Sequence, residues 1–367
     1  MGSLDAKPSP YPESYPPFPD TGSLKAYKSI PVTPIIGTEF KDVDVTEWLR
    51  APNSDDILRD LSLLRLTNHG SCCSVAQRGV VFFRNQHNVD DELQKEFCRR
   101  VNEVSGAPKE NGFYRHSLLA MHGTDPEMGK VDPDRLKAMH LKPTNGQPRQ
   151  SHVKEWHTDS SFEPAPPSYT ALRMAVLPET GGDTLWASGY ELYERLSTPY
   201  KKFFESLTAT HYNEGLHGYA KANPEKMYSG PRGAASNVGL EFKSHHPFVR
   251  THPLTGWKSI FGWGANFLAV DDVTDEEAQQ INDKITRLVL DNQDLQLRFH
   301  WENTGDLAIW DNRCTFHSAT SDHFVVGPRM GWRCMTMGEK PFLDPKSKSR
   351  NEATGGWPYK LENPTRY

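Results

Sequence analysis

The chain has 367 residues, with 42 lysines and arginines against 47 aspartates and glutamates, so its formal net charge is −5 with histidine neutral. This balance argues against a nucleic-acid binder and against a basic protein of the membrane surface. Nowhere does the sequence approach the ~18 consecutive apolar residues of a membrane span, so we expect a globular protein that contacts neither nucleic acid nor membrane.

The cysteines argue for a reducing compartment. There are five, an odd number with no C-x-x-C spacing, and the first residues lack the basic start and apolar stretch of a secretory signal. Disulfide frameworks in secreted proteins use even sets of cysteines, whereas cytosolic thiols stay reduced. The sequence therefore predicts a cytoplasmic protein.

Two parts of unequal size are predicted along the chain. Residues 1–24 carry six prolines among small and polar residues, a composition that keeps a segment extended and unable to build its own core. Residues 25–367 form a single domain in this interpretation. Within it, residues 106–155 and 213–240 lack sustained periodicity and are rich in glycine and proline, so both are predicted to be long loops beside an active site.

Apolar spacing and capping residues predict the helices. Apolar residues three and four apart indicate an amphipathic helix, and Ser188, Thr198-Pro199 and Thr274 are typical of helix starts. The predicted helices cover residues 55–66, 90–104, 190–207 and 275–291.

The remaining periodic segments predict strands. They are short apolar or alternating runs bounded by turn residues, and two of them flank a turn as a hairpin. The predicted strands cover residues 78–85, 247–250, 258–261, 295–301, 307–310 and 330–337. Many short strands with a few peripheral helices indicate a mainly β fold, a barrel or double-sheet jelly roll rather than βαβ units.

Common catalytic motifs are missing from the sequence. It has no Walker loop and no G-x-S-x-G elbow, and Gly262-Trp263-Gly264 lacks the third glycine of a dinucleotide site. Histidines followed two residues later by a carboxylate occur at His157-Thr158-Asp159 and His300-Trp301-Glu302, and the composition predicts about two such pairs by chance.

Position separates these two pairs. On an extended segment, His157 and Asp159 point to the same side and can bind one metal ion. They supply two of the three ligands of a two-histidine, one-carboxylate site, which leaves coordination positions open on Fe(II). A third ligand is still needed. His300 lies opposite the apolar residues of its strand, so we interpret it as a solvated or hydrogen-bonded histidine.

Several motifs together resemble the taurine dioxygenase (TauD/TfdA-type) family of Fe(II)/2-oxoglutarate-dependent oxygenases. They span residues 78–342, most of the chain, and the stretch around His157 is the most specific. The matching segments are residues 78–84, 156–159, 166–167, 177–186, 246–261, 310–317 and 338–342.

This resemblance implies a fold, a set of ligands and a reaction. The fold is a double-stranded β-helix, a jelly-roll, cupin-like barrel. The iron ligands are His157, Asp159 and His317, while Arg329 and Thr184 match the residues that bind 2-oxoglutarate. Iron, 2-oxoglutarate and O2 together oxidise a C–H bond of a small substrate, with release of succinate and CO2.

The substrate is where the sequence departs from the family. Arg333 lies four residues after Arg329, and the resemblance implies contact with an anionic substrate or with 2-oxoglutarate; a structural ion pair is the alternative. Taurine-cleaving members use a histidine soon after the first helix and an asparagine shortly before the H-x-D motif. This chain has neither: residues 104–108 contain no histidine, and residues 152–155 contain no asparagine.

The sequence is therefore compatible with three activities. An alkylsulfonate is the family's usual substrate, and an amino acid or small carboxylate, hydroxylated, desaturated or cyclised, is the alternative. A zinc-dependent cupin-like hydrolase or isomerase would use the same three ligands but not Arg329 or Thr184. A binding protein on a degenerate scaffold is disfavoured by the complete set of residues. Homo-oligomerisation is left open.

Overall fold

The computed structural model describes residue 15 and residues 21–63, 74–132 and 153–356. In these ranges the strands are Ser29–Pro31 (β1), Thr38–Phe40 (β2), Val80–Phe83 (β3), Gly129–Val131 (β4), Pro167–Val176 (β5), Thr184–Ser188 (β6), Thr208–Tyr212 (β7), Lys243–Pro247 (β8), Val249–Thr251 (β9), Lys258–Ile260 (β10), Phe267–Val270 (β11), Gln296–Phe299 (β12), Leu307–Asp311 (β13), Thr315–Ala319 (β14) and Met330–Met337 (β15). The α-helices are Val45–Arg50 (α1), Ser54–Leu63 (α2), Val75–Arg78 (α3), Asp91–Val104 (α4), Gly189–Glu194 (α5), Thr198–Glu205 (α6), Glu214–Ala222 (α7), Asp275–Asp291 (α8) and Arg350–Thr354 (α9).

A seven-stranded sheet forms the larger layer, in the order β1-β2-β3-β13-β5-β15-β4. All neighbours are antiparallel except β2 and β3. Strands β3 and β13 are buried along their whole length, as expected for apolar runs covered on both faces. The strands predicted at 78–85, 307–310 and 330–337 are confirmed.

Helices α1, α2 and α4 cover one face of this sheet. The Asp90 side chain accepts a hydrogen bond from the backbone N–H of Leu93 and so caps α4. Phe97, one turn further along, packs edge-on against Phe83 of β3 with ring centroids 5.6 Å apart. The amphipathic helix predicted at 90–104 is confirmed.

A three-stranded sheet, β12-β6-β14, packs on the other face. Phe82 of β3 stacks on Phe299 of β12 with centroids 3.7 Å apart, and Trp186 of β6 lies 5.6 Å from Trp310 of β13. The two sheets therefore enclose an aromatic core. Strand pairing does not join them within the described ranges, so they form two facing layers rather than a closed barrel.

The smaller sheet is covered in turn by α5, α6, α8 and two short sheets. One is the three-stranded sheet β11-β7-β8, and the other is the hairpin β9–β10, which confirms the hairpin predicted for 247–261. Helix α8 begins with the predicted capping box, in which Thr274 and Glu277 bond reciprocally. None of the described helices is long and apolar enough to cross a membrane.

Three segments differ from their prediction. The single helix predicted over 190–207 is wrong: α5 and α6 are separate, because Pro199 is accommodated only in the first turn of a helix. The N-cap of α6 is Ser197, and Thr198, the predicted cap, is its first helical residue. The loop 213–240 contains α7, which Asn213 caps. The described part of 106–155 contains β4, which obtains its hydrogen bonds from β15.

The limits of the predicted tail and of the first helix differ in part. Residues 21–24 are described, and Leu24 is buried in a 3-10 helix at Ser23–Ala26, so the packed chain begins earlier than residue 25. The rest of the predicted tail, apart from Tyr15, lies outside the described residues. So do residues 64–66 of the helix predicted at 55–66.

Two buried histidines make the fold sensitive to acid. Burial, with the positive charge of Arg250, lowers the pKa of His246 to about 4, and burial also lowers the pKa of His211, whose ring lies 5.3 Å away. Below pH 6.5 these histidines are protonated in the unfolded chain but stay neutral in the folded chain. We expect the free energy of unfolding to fall by about 3 kcal/mol for His246 between pH 6.5 and 4.

Urea unfolding at several pH values measures this dependence. In His246→Gln the side-chain amide can still donate toward the carbonyl of Ser161, which accepts from the imidazole, and the decline toward pH 4 should be shallower. His245→Gln, an exposed neighbour on β8, is the matched control and should keep the original slope. An unchanged slope in His246→Gln would contradict this assignment.

Candidate metal centre

Two distant segments meet at His157 and His317. Their backbones form an isolated antiparallel bridge, in which each N–H donates to the other's carbonyl at 3.0 and 2.8 Å. Because His317 lies on β14, this bridge fixes the segment carrying His157 and Asp159 against the smaller sheet. Asp159 Oδ1 then lies 3.9 Å from His157 Nε2 and 3.8 Å from His317 Nε2.

Both imidazoles are suited to bind a metal. His157 Nδ1 lies 2.7 Å from the carbonyl oxygen of Glu155, so Nδ1 carries the proton and Nε2 is left as a ligand. Burial lowers the pKa of His317 to about 3, so this imidazole is neutral at pH 7. Neutral imidazole is the form that coordinates metal ions.

Asp159 is the third member of the cluster and is buried. Burial raises its pKa, but opposing effects, chiefly the positive charge of Arg333, outweigh this and lower it, so the carboxylate is ionised. One oxygen, Oδ2, accepts a hydrogen bond from the Thr170 hydroxyl at 2.8 Å. The other, Oδ1, faces the two histidines.

These three side chains fit a divalent transition metal. Their ligand atoms all lie within 4.8 Å of one another. Two neutral imidazole nitrogens and one carboxylate oxygen form the set that binds non-heme Fe(II) on one face and leaves the remaining positions open. The structure thus brings together the three residues that the sequence assigns to iron.

A glycine allows the close packing around His157. Gly264 has a φ of +110°, and a Cβ atom built on it would lie 2.9 Å from the carbonyl oxygen of Trp156 and 3.2 Å from His157 Cα. The next residue, Ala265, donates its N–H to that carbonyl at 2.8 Å. The Gly262-Trp263-Gly264 motif, unsuited to a dinucleotide, therefore allows close packing against the segment that carries His157 and Asp159.

Arg329 and Thr184 form a second cluster near the metal ligands. Arg329 is 4% exposed, and it donates from Nε to the carbonyl oxygen of Gly182 at 2.6 Å and from Nη2 to the Thr184 hydroxyl at 3.1 Å. In the register of β6 and β14, Thr184 faces Ala319, two residues beyond His317. His317 and Thr184 thus point to the same face, about 7 Å apart along the strand.

Arg329 has no salt-bridge partner in the described ranges. Burial lowers its pKa to about 10, so it is still a cation at pH 7. The charge of Asp183 offsets the effect of burial only in part, and that carboxylate is itself bound by Arg298 at 2.6 Å and by His300 at 2.8 Å. A buried cation without a counter-ion is costly unless an anion binds there.

Trp301 completes this cluster and is not among the residues predicted from the sequence. Its indole N–H donates to the Thr184 hydroxyl at 3.1 Å. Since Arg329 donates to the same oxygen, Thr184 accepts two hydrogen bonds, and its own proton is available for a ligand. The only sequence signal was a tryptophan at the end of an alternating strand.

Arg333 lies between the metal ligands and a cavity. Its Nη1 donates to Asp159 Oδ1 at 2.8 Å. The same side chain lines a cavity together with Tyr114, Val131 and Met335. This position allows both interpretations made from the sequence, contact with a ligand and an ion pair.

Two other candidates are structural. His300 has an exposed side chain and hydrogen-bonds to Asp183, as predicted. His252, Asp311 and Cys314 also lie within metal-binding distance of one another. The Asp311 carboxylate, however, accepts two hydrogen bonds from the Arg313 guanidinium and one from His252, so it already serves in an ion pair.

Comparison with known proteins decides the family. The sequence model described as "Taurine catabolism dioxygenase TauD, TfdA family" matches residues 28–335. The chain belongs to this family. The resemblance seen in the sequence is confirmed, and with it the class of the enzyme, an Fe(II)- and 2-oxoglutarate-dependent dioxygenase.

Relatives in this family match nearly the whole chain. It is similar to the alpha-ketoglutarate-dependent dioxygenase oryG of Aspergillus oryzae, with 52% identity over 94% of this chain and 96% of the relative. For btcD of Neocamarosporium betae the identity is 40%, over 92% and 98%. The alpha-ketoglutarate-dependent sulfonate dioxygenase of Saccharomyces cerevisiae is 29% identical, over 89% and 70%.

Solved structures share the fold. A taurine dioxygenase from Burkholderia xenovorans superposes with a TM-score of 0.62 at 24% identity, covering 88% of this chain and 92% of that structure. AAD-2, in complex with Mn(II) and N-oxalylglycine, gives a TM-score of 0.60 at 17% identity, covering 86% and 99%. This TauD-family enzyme therefore shares its fold with both of these structures.

Proposed function

We propose that this enzyme binds Fe(II) through His157, Asp159 and His317, binds 2-oxoglutarate through Arg329 and Thr184, and oxidises a C–H bond of a small anionic substrate. The buried charge of Arg329, which forms no salt bridge in the described ranges, carries the proposal, because a carboxylate of 2-oxoglutarate is the anion that such a pocket beside a metal site would hold. A planar guanidinium can bind it with two parallel hydrogen bonds.

Each residue has its own role in the proposed reaction. The bound iron supplies the activation of O2 and the oxidative decarboxylation of 2-oxoglutarate to succinate and CO2. Arg329 neutralises the far carboxylate, and the free proton of Thr184 completes its binding. The chain contributes orientation: it holds the cosubstrate and the target C–H bond at the open side of the ligand set.

Anaerobic spectroscopy tests this assignment. We expect the Fe(II)-loaded protein to develop a metal-to-ligand charge-transfer band when 2-oxoglutarate is added, since the band requires chelation of iron. A zinc-dependent hydrolase is the rival that uses the same ligands. Zinc retained through purification, with no band from the iron-loaded protein, would favour that rival and leave Arg329 without a task.

The substrate is proposed to be an alkylsulfonate, the usual choice of the family, or an amino acid or small carboxylate. The alternative has a specific reason: the histidine and asparagine of taurine-cleaving members are missing from residues 104–108 and 152–155. A panel of sulfonates, amino acids and carboxylates, screened for a shift of the charge-transfer band and for succinate release, separates the two.

Arg333 is proposed to read the anionic group of that substrate. Arg333→Ala should raise the KM for substrate by about 10- to 100-fold, the worth of one hydrogen bond to a charged group, and should alter the 2-oxoglutarate requirement much less. Steady-state kinetics in each reactant measures both. An unchanged KM for substrate would leave Arg333 as the ion-pair partner of Asp159 only.

Gly182 should control the position of Arg329. Its φ is +69°, and an added Cβ atom would lie 2.8 Å from Arg329 Cδ. We expect Gly182→Ala to weaken 2-oxoglutarate binding about 10-fold and to cost about 1–2 kcal/mol of stability. Gly355 has a φ of +78° and open space around it, so Gly355→Ala is the control. It should lose similar stability and keep its affinity for 2-oxoglutarate. Equal affinities for 2-oxoglutarate in both variants would contradict the prediction.

We also propose the fold type, the domain organisation and the cellular location of the enzyme. The two facing sheets correspond to a double-stranded β-helix, or jelly roll, within one oxygenase domain over residues 25–367. A cytoplasmic location is supported by Cys98, Cys314 and Cys334, which are buried and form no disulfide. Cell fractionation and size-exclusion chromatography test the location and whether the enzyme forms a homo-oligomer.

A further inference from the structure

Asp159 is held by a chain of hydrogen bonds that runs through the core. Trp310 Nε1 donates to Asn312 Oδ1 at 3.1 Å, Asn312 Nδ2 donates to the Thr170 hydroxyl at 2.8 Å, and Thr170 donates to Asp159 Oδ2 at 2.8 Å. All four side chains are buried, at 3% exposure or less. We refer to Trp310, Asn312 and Thr170 as the relay.

The direction of every bond in the relay is determined. An indole N–H can only donate, so the atom of Asn312 that it meets is the amide oxygen. The backbone N–H of Asp159 donates to the same oxygen at 3.2 Å, which confirms the assignment. The other end of the amide is then a donor to Thr170. The single proton of the Thr170 hydroxyl is left for Asp159.

The relay makes the two oxygens of Asp159 different. Oδ2 accepts the proton of Thr170, whereas Oδ1 accepts from Arg333 Nη1 at 2.8 Å and is the oxygen that faces both histidine Nε2 atoms. A carboxylate that offers one oxygen takes one coordination position, and one that offers both takes two. If His157, His317 and one oxygen of Asp159 bound a six-coordinate Fe(II), three positions would stay open. Bidentate 2-oxoglutarate and O2 would need all three.

We propose that Thr170, supported by Asn312, is a positioning residue that keeps Asp159 a one-oxygen ligand and so preserves the coordination position needed for 2-oxoglutarate. This inference rests on the proposed function. It assigns a task to two residues outside the ligand set, Thr170 on β5 and Asn312 in the loop after β13.

The test compares Thr170→Val, which keeps the shape and removes the hydroxyl, with Thr170→Ser, which restores it. The readouts are the dissociation constant for 2-oxoglutarate and the position of its charge-transfer band on the anaerobic Fe(II) protein. We expect Thr170→Val to raise the dissociation constant about 10- to 100-fold, the range typical for loss of an outer partner of a metal ligand, and to shift the band. Thr170→Ser should stay close to the wild type.

Thr336→Val is the matched control. Thr336 is a buried threonine on β15, 2% exposed, whose hydroxyl lies 3.5 Å from the carbonyl oxygen of Tyr169, away from the metal ligands. It should leave the band and the dissociation constant unchanged. If Thr170→Val fails to fold, Thr170→Ala takes its place with the same expected result.

The outcomes separate this inference from the proposed function. If the wild type gives no band, the proposed function itself fails. If the wild type gives the band and Thr170→Val binds 2-oxoglutarate as tightly with the same band, the relay has no such task. The inference is also overturned if Thr170→Ser is as weak as Thr170→Val, or if Thr336→Val shows the same loss, because packing would then explain the effect.

Discussion

Replacing Asp159 with alanine is expected to abolish 2-oxoglutarate turnover while the protein stays folded. The change removes the only carboxylate among the three ligands and leaves two neutral imidazoles to hold Fe(II). The loss should exceed the roughly 10- to 100-fold that follows removal of an outer partner of a ligand. Succinate release under saturating iron and 2-oxoglutarate measures it, and circular dichroism checks the fold.

The fold survives because the partner of Asp159 is not fully buried. The side chain of Arg333 is 27% exposed, so water can solvate it once the carboxylate is gone. Asp294→Ala is the matched control: that carboxylate is exposed and pairs with Arg195 on the surface. It should retain full activity. An active Asp159→Ala variant would contradict the assignment of the three ligands.

Replacing Arg329 with leucine is expected to raise the concentration of 2-oxoglutarate required for activity by about 100-fold or more. Two hydrogen bonds to a charged carboxylate are lost, each worth about 1.5–3 kcal/mol. Arg329→Lys should recover little, because an ammonium group cannot reproduce the planar pair of donors. Titration of the anaerobic charge-transfer band gives the affinity directly, independently of turnover.

The stability of the leucine variant carries a second expectation. Arg329 is a buried cation with no carboxylate within 4.0 Å in the described ranges, so the fold bears the cost of its desolvation. Leucine removes that cost, and the melting temperature should be equal or higher. Arg100→Leu, on α4, removes a guanidinium that is 18% exposed and donates to Asp55 of α2, and it should leave the affinity for 2-oxoglutarate unchanged. A marked fall in melting temperature for Arg329→Leu would mean that another group neutralises this arginine.

Much of the fold could be predicted from local patterns. The helices α4 and α8 carry both an apolar stripe and a capping side chain, and β3 and β13 are continuous apolar runs, so their signals lie within a few residues. The edge strand β4 has no such signal, since three residues become a strand only because β15 offers hydrogen bonds. Helix α7 contains two glycines, which disfavour helix, and is stabilised by its Asn213 cap.

The candidate site divides in the same way. His157 and Asp159 are two residues apart, so their pairing was visible in the sequence, and His317 and Arg329 followed from the resemblance. Thr170 stands in an apolar run between Tyr169 and Ala171, where nothing marks a hydroxyl that reaches a ligand from another segment. Such a contact depends on which strands become neighbours in the fold. Sequence periodicity does not predict strand neighbours.

The bridge between His157 and His317 has a consequence for how the enzyme is assembled. The two histidines are separated by 160 positions along the chain, so neither half of a growing polypeptide can present the complete set of ligands. Closing so long a loop is a late and slow event in folding. A metal ion that binds only the finished arrangement stabilises the native state by mass action. Iron supply during synthesis should therefore determine how much of this enzyme survives proteolysis in the cell.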